Sequence, residues 1–241
     1  MNRILFENAE REMDSPEVVC LTGERAAHVR DVLRAAVGDF LRLGSLDGDH
    51  ARYDRCELLS LDPVRVRLGG AVPPLPRSRV DLLLAIPRPK CLRRLWPQFS
   101  ALGVGRLYLT AAEKVEKSYW GSTFLDPAVY RPLLLDGLAQ AGDTILPEIE
   151  IHRRLKPLVQ DVLPLRYGDG TRWIAHPPRD GVPAPGPAPT AERILIAVGP
   201  EGGWSDFEVG MFEEAGFGRI SLGDRILRTD TAVVSILSRY G

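Results

Sequence analysis

The chain has 241 residues, of which 44% are hydrophobic, and its 31 basic and 32 acidic side chains leave a formal net charge of −1. Its apolar runs are too short to cross a bilayer and its first residues lack the apolar stretch of a signal peptide, so we expect a soluble, cytoplasmic chain of one large domain or two modest ones. Three scattered cysteines (Cys20, Cys56 and Cys91) and four scattered histidines argue against a disulfide framework and against a bound metal.

The first seventy residues are predicted to form a compact, β-rich unit. Residues Ala27, Val29, Val32 and Leu33 lie on one side of a short amphipathic helix. The string DGD at 47–49 predicts a hairpin turn, and 64–68 alternates apolar and polar residues as a strand does. The Gly/Pro-rich stretch 69–77 suits neither a helix nor a central strand, so we predict domains at 1–72 and 73–241.

The remainder alternates strand and helix patterns. Strands are predicted over 80–87, 106–110, 172–176, 192–199 and 219–223, and helices over 90–104, 126–142, 205–216 and 230–240; a Pro/Gly-rich loop occupies 177–189. Ser205 is placed to cap its helix, with Glu208 in the capping-box position. Such alternation predicts a mainly parallel α/β sheet, which binds ligands at the carboxyl ends of its strands.

Two of the loops at those strand ends have an unusual composition. The first, GPEGG, places three glycines around Pro200, so its backbone can approach a ligand closely, and Glu201 carries its one reactive side chain. The second, within SLGDRILRTDTA, carries Arg225 and Arg228. Taken singly, each could be a tight connection. Neither matches the dinucleotide or Walker pattern, which disfavours a site of either kind.

Together, the strings GPEGGWSDFE and LGDRILRTDTA closely resemble the C-terminal signature of the SPOUT-class methyltransferases that modify uridine N3 in 16S rRNA. HVRDVLRAAVGD and LGVGRLYL extend the resemblance over essentially the whole chain. It implies an α/β fold, with a C-terminal trefoil-knotted SPOUT methyltransferase domain built on a mainly parallel sheet and a small N-terminal PUA-like RNA-binding β-barrel. It also implies a homodimer that acts on 16S rRNA or on the assembled small ribosomal subunit.

The resemblance further implies a site for S-adenosylmethionine between these loops. The implied cofactor-binding residues are Ala175, His176, Gly199, Glu201, Gly202, Gly203, Leu222, Gly223, Ile226, Leu227, Arg228, Thr231 and Ala232. Methylation at uracil N3 requires loss of the N3 proton, so a base, or positive charge near the flanking carbonyls, would lower the barrier. Arg228 and then Arg225 are the candidates for the positive charge. Glu201 is a candidate base, although it could equally cap backbone amides or balance the cofactor's charge.

The near-neutral total conceals a basic segment. Residues 77–119 hold nine basic and three acidic side chains. This segment is either a solvated helix face or a phosphate-binding patch, since distant opposite charges do not cancel a local field. The candidate RNA-binding residues are Arg88, Lys90, Arg93, Arg94, Lys114 and Lys117.

The chain departs from the family pattern at two places. Members carry a K-x-x-E before LGV, where this chain has Gln98 to Ala101, and an arginine where this chain has Asp143. These departures leave the target nucleotide open. The alternatives are therefore a SPOUT enzyme that acts on another RNA such as tRNA, and a catalytically silent RNA-binding or ribosome-assembly protein; the intact pair of loop strings argues against the latter.

Overall fold

A computed structural model describes residues 3–169, 171–177 and 193–241 of the chain. It divides into two compact units, one comprising Met1–Pro76 and Leu135–Leu146, the other Arg77–Leu134 and Pro147–Gly241. The predicted domains, 1–72 and 73–241, do not include Leu135–Leu146 in the first unit, whereas the structure does. Arg3 accounts for part of this difference, because its backbone N–H donates to the Ala139 carbonyl and its guanidinium donates to that of Gly142.

The first unit is built on a seven-stranded sheet. Its strands are β1 (Ile4–Phe6), β2 (Arg11–Glu12), β3 (Ser15–Leu21), β4 (Phe40–Ser45), β5 (Arg52–Leu61), β6 (Val64–Arg67) and β7 (Gly70–Val72), in the order β1-β4-β5-β6-β3-β2 with β7 paired to β5. The predicted strand at 64–68 is confirmed, with Val64 and Val66 buried. The predicted hairpin is also confirmed, since Gly48 has a φ of +65° between β4 and β5.

The predicted amphipathic helix of this unit is correct in position but not in its buried face. An α-helix, α1, covers Gly23–Ala27 and continues as a π-helical turn over His28–Val32. Val29 is buried, whereas Val32 and Leu33 are 67% and 43% exposed. A π turn holds more residues than an α turn, so the side chains that follow it are rotated away from the face that α-helical spacing predicts.

The second unit carries a six-stranded sheet between helices. The strands are β8 (Val80–Ala85), β9 (Arg106–Thr110), β10 (Glu148–His152), β11 (Arg172–Ala175), β12 (Ile194–Val198) and β13 (Gly218–Ile220), in the order β10-β9-β8-β12-β11-β13. Every pairing between described strands of this sheet is parallel, as the alternation predicts. The helices are α2 (Pro89–Ala101), α3 (Pro127–Ala141), α4 (Leu155–Pro157), α5 (Leu163–Arg166), α6 (Asp206–Glu214) and α7 (Thr229–Tyr240). Helix α3 belongs to this unit up to Leu134, and its remaining residues belong to the first unit.

The strand order places β12 between β8 and β11, although β11 precedes it in the chain. The carboxyl ends of β11, β12 and β13 consequently lie side by side at one edge of the sheet. From Pro178 onward, the predicted loop at 177–189 lies outside the described residues.

One acidic residue is buried in the central strand β8. Asp81 is 1% exposed, and its carboxylate accepts hydrogen bonds from the Arg106 backbone N–H, the Arg193 guanidinium and the Tyr167 hydroxyl, each at 2.7 Å. A buried carboxylate is tolerated only when it is paired and hydrogen-bonded in this way. Burial, with the neighbouring Tyr108 and Asp81, raises the pKa of Tyr167, which keeps its hydroxyl protonated as a donor.

The helix that follows the GPEGG loop begins with the predicted capping box. The Ser205 hydroxyl accepts from the Glu208 backbone N–H, and the Glu208 carboxylate accepts from the Ser205 backbone N–H at 2.9 Å. The other oxygen of Glu208 accepts from the Glu113 backbone N–H at 2.7 Å, which ties the helix start to the loop after β9.

Replacing Ser205 with alanine should lower the free energy of unfolding by about 1 kcal/mol, because the first turn of α6 loses its side-chain acceptor. Chemical denaturation monitored by circular dichroism measures this loss. Ser238→Ala is the matched control, since Ser238 is exposed near the end of α7; it should change stability by less than about 0.5 kcal/mol. Equal effects of the two substitutions would show that the cap does not stabilise α6.

The described residues contain neither a membrane-spanning helix nor a cluster of metal-ligating side chains. None of their helices is long and apolar enough to cross a membrane. Within the same ranges, no three His, Cys, Asp or Glu side chains are grouped so as to hold a metal ion.

Candidate functional site

A cavity of about 400 Å³ lies at the carboxyl ends of β11, β12 and β13. This is the edge at which a parallel sheet is expected to bind ligands, and the volume lies in the usual range of small-molecule sites. The GPEGG loop forms one wall, the loop after β13 forms a second, and the end of β11 forms a third. The two loops that the sequence singled out are thus brought together around a single cavity.

Most of the predicted cofactor-binding residues line this cavity. They are Ala175, His176, Gly199, Glu201, Gly202, Gly203, Leu222, Gly223, Ile226, Leu227 and Ala232, and Arg225 joins them. Arg228 and Thr231 do not line it, although Leu227 and Thr229 on either side of Arg228 do. The cavity is also lined by seven residues outside the predicted set, several of which stand inside the strings GPEGGWSDFE and LGDRILRTDTA: Pro177, Val198, Pro200, Trp204, Ser221, Asp224 and Thr229.

The glycines that line the cavity are required for two different reasons, close packing at one position and a positive φ at two others. A Cβ on Gly199 would lie 3.2 Å from the Trp204 backbone nitrogen, so the loop closes tightly there. Gly203 and Gly223 have φ angles of +69° and +105°, a region that side chains disfavour, and a Cβ at either would meet open space. The bare backbone of Gly203 and Gly223 is therefore presented to the cavity.

The GPEGG loop is also held from outside the cavity. The Lys114 ammonium donates to the Gly202 carbonyl at 3.0 Å, and its aliphatic stem packs against Gly202, where an added Cβ would lie 3.1 Å from the Lys114 Cδ. Lys114, which the sequence assigned to RNA binding, is thereby placed against the loop. Its position gives it a structural role whether or not it also meets RNA.

Glu201 is bonded to the start of helix α2. One oxygen of its carboxylate accepts from the Arg88 backbone N–H at 3.0 Å. Arg88 is the N-cap residue of α2, where a free N–H and the helix dipole both favour a negative charge. Of the three roles open to Glu201 (base, cap of backbone amides, or partner of the cofactor's charge), this contact favours the cap of a backbone amide.

Helix α2 is bonded to the first turn of α7 as well. The Arg94 guanidinium and the Asp230 carboxylate form an ion pair at 2.6 Å, and the hydrogen bond from Arg94 holds the pKa of Asp230 below its usual range. Beneath them, Cys91 is buried, and burial together with the carboxylates of Asp230 and Glu201 raises the pKa of its thiol to about 11. Cys91 is therefore an uncharged packing residue at neutral pH.

The cavity combines apolar walls with polar groups, as an amphipathic cofactor requires. Val198, Leu222 and Leu227 supply apolar surface and backbone amides supply donors. The indole N–H of Trp204 is buried without a hydrogen-bond partner among the residues that the structure describes. The residues present thus fit a ligand with both an apolar and a hydrogen-bonding part.

The remaining basic candidates lie on exposed surface. Lys90, Arg93 and Lys117 are exposed, and the Arg93 guanidinium lies 6.0 Å from the centre of the Phe124 ring. Two residues stand where the chain differs from the family pattern. Gln98 is exposed, whereas Asp143 is buried and its carboxylate accepts a hydrogen bond from the Thr144 backbone N–H at 2.7 Å.

Comparisons with known proteins agree with one another. The model of the RNA methyltransferase domain family matches residues 73–241. The ribosomal RNA small subunit methyltransferase E of Treponema pallidum is 29% identical over 239 residues, which is 96% of this chain and 87% of the relative. The protein of the same name from Helicobacter pylori strain J99 is 25% identical, over 90% of this chain and 92% of its own length.

A solved structure shares the fold of the whole chain. The ribosomal RNA small subunit methyltransferase E from Neisseria gonorrhoeae, bound to S-adenosylmethionine, is similar with a TM-score of 0.75 at 20% identity. The match covers 99% of this chain and 95% of that one. At this identity, the likeness is one of fold.

Proposed function

The chain belongs to the RNA methyltransferase domain family, and on that premise we propose that it transfers a methyl group from S-adenosylmethionine to N3 of a uridine in 16S rRNA. The observation that carries the proposal is the cavity in which the GPEGG loop and the loop after β13 meet. The names of the relatives from Treponema pallidum and Helicobacter pylori, which are similar over most of this chain, support small-subunit rRNA as the substrate. As an enzyme of ribosomal RNA, it would act in the cytoplasm.

The cavity is the proposed site of S-adenosylmethionine. The bound cofactor in the Neisseria gonorrhoeae structure, which has the same fold, supports this assignment. Gly203 and Gly223 would let the cofactor lie against the backbone, and the apolar walls would exclude water from it. When bound, the cofactor supplies an electrophilic methyl group, so positioning accounts for much of the catalysis.

Arg228 is the proposed catalytic residue of this site. Its side chain is exposed and it stands in the chain between Leu227 and Thr229, which both line the cavity; this supports a place near an incoming base. Its fixed positive charge would stabilise the negative charge that develops on the uracil carbonyls as N3 loses its proton. Arg225, which lines the cavity, would assist. Glu201 would hold the GPEGG loop through its bond to Arg88.

RNA would be held by the exposed basic side chains near helix α2. Arg88, Lys90, Arg93 and Lys117 remain the proposed phosphate contacts, whereas the side chains of Lys114 and Arg94 are bonded within the chain. A few such contacts make affinity depend on salt without requiring a basic protein overall.

A trefoil knot, a PUA-like first domain and a homodimer complete the proposal. The insertion of β12 between β8 and β11 supports the knot, and the separate β-rich unit supports the PUA-like first domain. Val233, Ile236 and Leu237 of α7 are buried within this chain, so the apolar side chains of that helix serve its core. Ile226, by contrast, is 95% exposed on the loop after β13, and it is the apolar side chain that we propose for the dimer contact.

The proposal is tested by incubating the purified chain with methyl-labelled S-adenosylmethionine and, separately, with small ribosomal subunits, naked 16S rRNA and tRNA that lack modification. We expect label in 16S rRNA, in one form or both, and none in tRNA. Label in tRNA alone would make the chain an enzyme of another RNA. Absence of label from every RNA, with S-adenosylmethionine still bound, would identify a silent binding protein.

A further inference from the structure

Helix α2 is bonded to the GPEGG loop and to the first turn of α7, which follows the second loop of the proposed cofactor cavity. Its N-cap residue Arg88 donates a backbone N–H to Glu201 of the GPEGG loop at 3.0 Å. Six residues further along, the Arg94 guanidinium donates to the Asp230 carboxylate at 2.6 Å. Asp230 stands in the first turn of α7, directly after Thr229, which lines the cavity.

Asp230 fixes the start of α7 from two directions. One oxygen of its carboxylate accepts from Arg94, and the other accepts from the Thr231 backbone N–H at 3.0 Å. The N-cap residue of this helix is Arg228, whose carbonyl accepts the Ala232 N–H at 2.8 Å. Any movement of this turn therefore moves the backbone from which the Arg228 side chain extends.

The exposure of the pair indicates what it contributes. The side chain of Arg94 is 60% exposed and that of Asp230 is 25% exposed. Ion pairs this close to solvent contribute little to the free energy of unfolding. Catalytic rates, in contrast, fall steeply when a charged group is displaced by about 1 Å from the reacting atoms. A pair in this place should accordingly affect turnover far more than stability.

We infer that Arg94 and Asp230 form a positioning pair for methyl transfer, which holds the first turn of α7 and with it Arg228. The inference rests on the proposed function. It assigns Arg94 a role distinct from that of its neighbour Arg93, which faces solvent beside Phe124 and has only the proposed role in RNA binding. The two arginines of one helix are thus predicted to act on different kinetic constants.

The kinetic test compares Arg94→Ala, Asp230→Asn and Arg93→Ala with the unaltered chain. Asp230→Asn keeps an oxygen for the Thr231 N–H and removes the charge. We expect Arg94→Ala and Asp230→Asn each to lower kcat about tenfold with KM for RNA within about twofold, and Arg94→Lys to restore part of the loss. Arg93→Ala should raise KM for RNA instead. A change at Arg94 confined to KM and its salt dependence would make Arg94 an RNA contact and overturn the inference.

A double-mutant cycle tests whether the pair acts through Arg228. Once Arg228 is alanine, the further change Arg94→Ala should lower kcat less than about twofold, because the residue that it positions is already absent. Independent, fully multiplicative effects would show that Arg94 acts by some other route.

Amide hydrogen exchange tests the same inference without activity. In Arg94→Ala, the Thr231 and Ala232 amides should exchange faster than in the unaltered chain, while the Ile236 and Leu237 amides of the same helix stay unchanged. Unchanged exchange at Thr231 and Ala232 would contradict the positioning role. If the unaltered chain transfers no methyl group, the proposed function fails, and the exchange measurement still decides whether Arg94 holds this turn.

Discussion

Replacing Arg228 with alanine should lower kcat for methyl transfer by about 10²- to 10³-fold, while the affinity for S-adenosylmethionine stays within about twofold. The reason is the position of this side chain. Arg228 is exposed and does not line the cavity, although Leu227 and Thr229 on either side of it do, so we expect its charge to act on the uracil anion and not on the cofactor. Single-turnover kinetics on 16S rRNA measures the first quantity, and titration calorimetry the second.

Arg239→Ala is the matched control for this experiment. Arg239 is an exposed arginine in the last turn of the same helix, with its guanidinium 5.4 Å from the centre of the Tyr240 ring. Its removal should leave kcat within about twofold. Full turnover in Arg228→Ala would remove Arg228 from the mechanism, and loss of cofactor affinity in that variant would assign it to cofactor binding.

Replacing Gly203 with alanine should weaken S-adenosylmethionine binding by about 10- to 100-fold, because overpacking a fitted site costs roughly 1–3 kcal/mol. The added methyl group would meet no protein atom within 4 Å, and Gly203 lines the cavity, so the methyl group takes up space proposed for the cofactor. Titration calorimetry of the two proteins measures the difference.

Gly142→Ala separates this steric effect from backbone strain. Gly142 has a φ of +74°, against +69° at Gly203, and a Cβ there also meets nothing within 4 Å. It follows α3, in the other compact unit. Both variants should lose about 1 kcal/mol of stability, and only Gly203→Ala should lose cofactor affinity. Equal cofactor affinities would show that the GPEGG loop does not border the bound cofactor.

Short-range sequence patterns were sufficient to predict that the site lies at the carboxyl ends of the parallel strands. Ser205 and Glu208 mark the start of α6, and the glycines at 199, 202 and 203 mark a loop that approaches a ligand. Each of these signals lies within a few residues of the feature that it predicts. The strand β10, which is not among the predicted strands, also has such a signal in the alternation of Glu148 to Ile151.

The contacts that organise the site from behind could not be predicted in this way. Glu201 meets the Arg88 amide across 113 residues, and Arg94 meets Asp230 across 136. Neither contact produces a periodicity or a motif, because each depends on how α2 packs beside the two loops. The sequence therefore predicts Arg94 to be an RNA contact like its basic neighbours, and it leaves the role of Glu201 open between a base and a cap of backbone amides.

The most direct test of the proposed reaction is the chemical identity of the methylated nucleoside. 16S rRNA methylated by the purified chain would be digested to nucleosides and examined by liquid chromatography with mass spectrometry. Its single modified position would be located by the reverse-transcription stop that a blocked Watson–Crick edge produces. We predict 3-methyluridine at one site. A methyl group on a ribose hydroxyl, on another base, or on uracil C5 would contradict the proposed chemistry.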